Sequence, residues 1–242
     1  IGLVFVYFYN GENIFCWTCS FETSKYLLRD SWPLIFAGVV VSVYMKIDQV
    51  MIKEMLGAKE VGLYAAAVKL SEAWYFLPLA ITSSLFPAII NAKLYQKEDY
   101  FQRLQKLYDL MVWIAVAIAL PTAILSPWIV EFLYGNEYLE SSSVLNIHIW
   151  SGIFVFLGVA SSKYLLSENY IKKTFYRTFF GALLNIMMNY YLIGIMGIKG
   201  AALSTFASHF FAAYFYDILD KDLREMFILK TKSLFLYSLY AK

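Results

Sequence analysis

Residues 31–52 read SWPLIFAGVVVSVYMKIDQVMI, from Ser31 to Ile52. Roughly 20 apolar residues at about 1.5 Å each cross a hydrocarbon layer of ~30 Å, so the stretch has the length of a membrane-spanning helix. Its last third nevertheless carries Lys46, Asp48 and Gln49. An ionised side chain near the middle of such a helix costs on the order of 2.5–3.5 kcal/mol on insertion scales. It normally faces protein or a watery cavity. The stretch therefore predicts both a membrane setting and a non-lipid neighbour beside residues 46–49.

Composition points the same way. The chain has 242 residues, 60% hydrophobic and only 16% charged, with a mean hydropathy of +0.58. Soluble domains average about 45–50% apolar and about 25% charged. Five further apolar segments follow, at residues 70–91, 108–134, 144–166, 174–196 and 199–217. The expectation is an all-α polytopic membrane bundle of six spans over residues 32–217. A cytoplasmic loop (10–31) precedes it and a cytoplasmic amphipathic tail (218–242) follows. Residues 1–9 are apolar but too short to span, with no initiator Met and no basic signal-peptide region. They are expected to be the tail of a truncated span. Pro78, Pro87, Pro121 and Pro127 predict bent helices.

Orientation follows from the cations between spans. Lys25 and Arg29, then Lys93, Lys97, Arg103 and Lys106, then Lys172, Lys173 and Arg177 fall on one side. Lys221, Arg224, Lys230, Lys232 and Lys242 in the tail join them, against Lys53, Lys59, Lys69 and Lys199 on the other side. The first loop and the C-terminus are therefore expected in the cytoplasm. Residues 93–107 and 219–242 are amphipathic, and either lie on an anionic leaflet or serve as plain connectors.

The chemistry of catalysis is missing from the pattern. There is no Gly-x-Ser-x-Gly elbow, no phosphate-cradling Gly-rich loop and no His/Cys cluster at metal spacing. Gly194, Gly197 and Gly200 between two apolar runs read as a tight turn. Cys16 and Cys19 stand alone as a pair, expected reduced and inert in a cytoplasmic loop. The expectation is a non-enzyme with no cofactor, no metal and no nucleic-acid partner.

Polar residues inside the apolar runs are the candidate site. Lys46 and Asp48 from the first span, Lys69 and Glu72 at the head of the second, and His148 in the fourth are expected together in the outer third, as a shared vestibule. Snorkelling or interfacial side chains are the competing reading. Lys163 reads as a snorkelling anchor at the inner end of its span. Asn185 and Asn189 share a face deeper in the fifth span, where they either bond helix to helix or line a pathway. His209, near the middle of the sixth, is either a proton-linked group or a packed, hydrogen-bonded one.

Several of these residues also carry a resemblance. Arg29-Asp30-Ser31-Trp32-Pro33-Leu34 leads to Tyr44-Met45-Lys46-Ile47-Asp48-Gln49-Val50-Met51-Ile52, then Gly57, Val61-Gly62-Leu63-Tyr64 and Lys69-Leu70-Ser71-Glu72-Ala73-Trp74-Tyr75-Phe76-Leu77-Pro78. This succession resembles the O-antigen and polysaccharide flippases (Wzx-type) of the multidrug/oligosaccharidyl-lipid/polysaccharide (MOP) exporter superfamily. Asn185-Ile186-Met187-Met188-Asn189 with Gly197-Ile198-Lys199-Gly200-Ala201-Ala202-Leu203-Ser204-Thr205 is similar to a signature shared more widely there. The resemblance runs from Arg29 to about Phe235. It implies a MATE/MOP-like C-terminal bundle whose N-terminal six-helix partner is missing. It further implies a substrate, undecaprenyl-diphosphate-linked O-antigen or capsule repeat units, flipped by alternating access across a bacterial inner membrane. Other polysaccharide assembly proteins are the implied partners, and lipopolysaccharide biosynthesis the implied setting. Lys46 or Lys69 would face the diphosphate, and Asp48, Glu72 or His209 would carry a coupling proton. A multidrug exporter of the same superfamily, an inactive remnant, and a membrane polymerase or acyltransferase are the competing identities.

Overall fold

A computed structural model of the chain describes residues 20–95 and 97–235. The expected truncated span and the Cys16/Cys19 pair lie outside the described residues. Helix α1 (Phe21–Leu56) starts at Ser20, whose side chain accepts the backbone N–H of Thr23, and stops at Gly57. The chain then turns into α2 (Ala58–Glu72), breaks at 73–75, and continues as α3 (Phe76–Tyr95). Next come α4 (Lys97–Ile124), the short α5 (Ser126–Tyr134), α6 (Ser141–His148) and α7 (Ser151–Ser167). Helices α8 (Ile171–Met196) and α9 (Ile198–Phe210) follow, then a π turn (Phe211–Phe215), α10 (Tyr216–Leu219) and α11 (Arg224–Leu234). No strand occurs among the described residues. The fold is an all-α membrane bundle.

Four helical stretches among the described residues are long and apolar enough to cross a membrane: Ala58–Leu94, Tyr100–Ile124, Ser141–Ser167 and Ile171–Met196. The six-span expectation corresponds to these four plus α1 and the interrupted run 198–219, which flank α8 on two sides. Three boundaries differ from it. Residues 53–69, expected as an outer loop, are almost wholly helical, because only Gly57 interrupts them. Its φ of +104° is open to glycine and strained for other residues, so the turn takes one residue rather than a loop. The expected span 108–134 is divided at Leu125, since Pro127 begins a new helix more readily than it continues one. The expected span 144–166 is broken at 149–150, where Gly152 and Ile153 bond three residues back.

Two apolar cores hold the bundle. One gathers Leu104, Tyr108, Met111, Phe156, Leu157, Leu165, Leu223 and Met226, from α4, α7, α11 and the turn before α11. The expected amphipathic segment 93–107 thus turns Leu104 and Leu107, with Tyr108 just beyond it, into protein and leaves Phe101 exposed. The other gathers Ile52, Leu63, Ala67, Val130, Val144, Leu145, Ile193, Ile198 and Ala201 around the turns at Gly57 and Gly197. Gly197, at φ +62°, joins α8 to α9, and Leu56 reaches over to it. The two glycine turns therefore sit side by side. The expected tight turn at 194–200 is the second of them.

Candidate functional site

Two hairpins with adjacent turns bring four positions to one level. Asp48 and Tyr64 lie at nearly equal distances on either side of Gly57, and Asn189 and Thr205 at equal distances on either side of Gly197. At about 1.5 Å per residue, all four sit ~12 Å below the turns. Their side chains meet there. Asp48 Oδ2 accepts the hydroxyls of Tyr64 at 2.8 Å and Thr205 at 2.6 Å. Asp48 Oδ1 accepts Asn189 Nδ2 at 2.6 Å, and the same amide reaches Asn185 Oδ1 at 3.1 Å. Each of the five is at least nine-tenths buried.

The charge balance of this cluster is uneven. No Lys, Arg or His lies within ion-pair distance of Asp48 among the described residues. A buried ionised carboxylate without a counter-charge is costly, and hydrogen bonds offset only part of that cost. A proton or a singly charged cation at Asp48 removes it. The donors offered are oxygens: the carboxylate, the amide oxygens of Asn185 and Asn189, and the Thr205 hydroxyl, 3.0 Å from the Ala201 carbonyl. Asn189 Oδ1 has no protein partner. An all-oxygen set with one carboxylate suits a hard, singly charged ion or a proton. It does not suit a transition metal, and no group of three or more His, Cys, Asp or Glu placed to hold a metal ion occurs among the described residues.

A cavity of about 220 Å³ adjoins the cluster, lined by Asp48, Tyr64, Glu72, His148, Thr205 and His209 and reaching Arg177 and Ala213. The helix breaks at 73–75 and 149–150 flank it: Tyr75 lines it, and its hydroxyl lies 3.5 Å from Ser151 Oγ. His148 bonds Ser71 at 2.9 Å and packs edge-on to Tyr64, ring centroids 6.4 Å apart. Interrupted helices are what a membrane bundle uses to expose polar groups at depth.

The structure thus redistributes the expected site. Asp48 joins Asn185 and Asn189, which the depth estimate had kept apart from it. The helix carrying Asp48 runs on to Leu56 rather than ending at Ile52, which sets the carboxylate deeper and level with Asn189. Glu72, His148 and His209 line the adjoining cavity. Lys46 is exposed and interacts with Glu72 only through space. Lys69 is exposed and lies off the cavity. Lys163 is half-buried, its ammonium 5.5 Å from the Phe86 ring. Tyr64, Thr205 and Arg177 were not singled out from sequence. Arg177 had been counted with the flanking cations of α8 but is 5% exposed and inside the bundle. A usable signal for Tyr64 and Thr205 was present, namely their spacing from the two glycines.

Comparison with known proteins adds three findings. The MatE family model matches residues 33–191. The uncharacterized membrane protein MJ1375 of Methanocaldococcus jannaschii is 26% identical over 181 residues, covering 74% of this chain and 42% of that protein. The solved structure of the lipid II flippase MurJ, in an inward closed conformation, superposes with a TM-score of 0.65 at 14% identity. That alignment covers 93% of this chain and 50% of the other. The chain thus spans about half the length of the proteins it matches.

Proposed function

The chain belongs to the MatE family, and we propose that it supplies one bundle of a transporter that moves a lipid-linked glycan between membrane leaflets by alternating access. The proposed cargo is an undecaprenyl-diphosphate-linked O-antigen or capsule repeat unit. It passes from the cytoplasmic to the outer leaflet of a bacterial inner membrane, with the C-terminus in the cytoplasm. The partner is a second six-helix bundle, and the role is transport rather than catalysis. Two things support the flippase branch. The fold is shared with a lipid II flippase, and the stretches around Trp32-Pro33 and Lys46-Ile47-Asp48-Gln49 resemble polysaccharide flippases.

The observation that carries the transport reading is Asp48. One buried carboxylate is held by Tyr64, Asn189 and Thr205, each from a different helix. Its occupancy changes which of these bonds can form. A proton on the carboxylate frees the Thr205 hydroxyl for the Ala201 carbonyl; a cation draws the amide oxygens inward. Either event alters how α1 and α2 sit against α8 and α9. A ligand that binds one arrangement better than another shifts the balance between them. This is the requirement for coupling an ion to an alternating bundle.

Asp48→Asn tests the reading, because it keeps the side chain's shape and removes its charge. In cells that depend on the intact transporter, surface glycan should fall at least tenfold while the variant reaches the membrane at the wild-type level. Normal surface glycan would end the coupling role. If loss of the whole protein left the glycan unchanged but altered drug susceptibility, the multidrug-exporter reading would replace the flippase.

A further inference from the structure

Arg177 has a different problem from Asp48. It sits on α8 about three turns from Asn189, or ~18 Å along the helix, at the opposite end of the same cavity. Its guanidinium is buried, and its protein contacts are weak. Nη2 lies 3.4 Å from both the Gly158 carbonyl and Ser162 Oγ, while Nη1 has no partner. No carboxylate is within ion-pair distance of it among the described residues.

Its surroundings do not supply the missing charge. Lys230 and Asp217, both fully buried, already form an ion pair at 2.6 Å. Arg177 interacts through space with that lysine and with Tyr108. Among the buried groups here two cations therefore face one carboxylate, while Asp220 and Asp222, nearer the surface, are both taken by Lys173. A buried cation without a counter-ion is strongly disfavoured, and Arg presents a planar fork suited to oxyanions.

We infer that the Arg177 end of the cavity is an oxyanion-binding site for a phosphate group, with Arg177 Nη1 as its principal donor and Ser162 Oγ beside it. The phosphate comes either from an anionic lipid headgroup or from the free ion. The cavity then has two chemically opposite ends, one that attracts cations at Asp48 and one that attracts phosphate at Arg177. This site follows from charge and geometry and does not rest on the transport reading.

Thermal unfolding of the intact purified protein in phosphatidylcholine nanodiscs provides the test. Potassium phosphate, titrated against potassium chloride at constant ionic strength, should raise the wild-type midpoint saturably. Arg177→Gln should weaken the apparent phosphate affinity at least tenfold, and Arg177→Lys should restore part of it. In a second arm, without phosphate, phosphatidylglycerol replaces part of the phosphatidylcholine. Arg177-dependent stabilisation in this arm identifies a lipid headgroup; stabilisation by phosphate alone identifies the free ion. If neither arm shows a shift that depends on Arg177, the proposal is wrong, and Arg177 is compensated internally through the free oxygen of Asp217. Should Arg177→Gln fail to fold, Ser162→Ala decides. At least a threefold loss of phosphate affinity supports the site, and an unchanged titration overturns it.

Discussion

Lys230 shows how single residues in this chain resist a reading by type. It lies on α11, beyond the last span, yet its side chain is fully buried. It donates to Asp217 at 2.6 Å and to the Ala213 carbonyl at 2.6 Å, within the π turn. Burial pushes its ammonium down to about 8 from 10.5, although Asp217 pulls the other way. Between those two pH values the unfolded chain holds a proton that the folded chain has released. Stability from this group therefore rises with pH across that window and is flat below it. Thermal midpoints of wild type and Lys230→Met, compared from pH 7 to 10.5, should show the wild type gaining on the variant above pH 8. A constant difference would mean that Lys230 stays charged when buried. In the sequence, Lys230 looked like one more cytoplasmic cation, and Arg177 like another. Cations near helix ends are usually solvated, so neither stood out. Asp48, Asn185 and Asn189 were legible because a polar side chain inside an apolar run is conspicuous. Tyr64 and Thr205 were not, since tyrosine and threonine are unremarkable in a span.

The helices themselves follow from the apolar runs, but their interruptions do so only in part. Charged residues around Gly57 suggested a loop, and the structure spends only that glycine on the turn. The breaks at 73–75 and 149–150 carry neither glycine nor proline within them. The first nevertheless lies one turn before Pro78, which has no N–H for the Trp74 carbonyl and so loosens the helix there; the second, beside the cavity, has no such proline. At the second hairpin the sequence was more informative. A Cβ on Gly200 would lie 2.0 Å from the Leu192 carbonyl oxygen, so α8 and α9 can close only on a glycine. Gly194 faces open space. Gly200→Ala should therefore cut folded yield sharply and lower the thermal midpoint by several degrees. Gly194→Ala should be neutral or slightly stabilising, since alanine is the better helix former by roughly 1 kcal/mol. Fluorescence-detected size-exclusion and melting of the two variants side by side check this. Equal behaviour would remove Gly200 from the account of the hairpin.

At the scale of the molecule, apolar side chains cover much of the outside. Ile35, Phe36, Val39 and Val43 on α1 and Phe179, Phe180, Met187, Tyr190, Tyr191 and Ile195 on α8 are exposed, as a lipid solvent or a second bundle requires. The proposed orientation makes a further prediction. With Cys16 and Cys19 changed to Ser, a cysteine at exposed Lys232 should react with an impermeant maleimide only in inverted vesicles. One at exposed Glu137, in the Asn136–Tyr138 turn, should react only in intact spheroplasts. The reverse pattern would invert the topology inferred from the cations. The paired glycine turns also act as a length gauge. Each cluster residue is placed by counting from a glycine, so one residue added between Asp48 and Gly57 swings the carboxylate about 100° off its partners. Seven added residues restore the direction but shift it ~10 Å along the axis. No insertion in either hairpin arm leaves the four groups in contact. Among related chains, gaps should therefore accumulate in places such as the Asn136–Tyr138 turn and be missing from the four short arms that join the glycines to Asp48, Tyr64, Asn189 and Thr205.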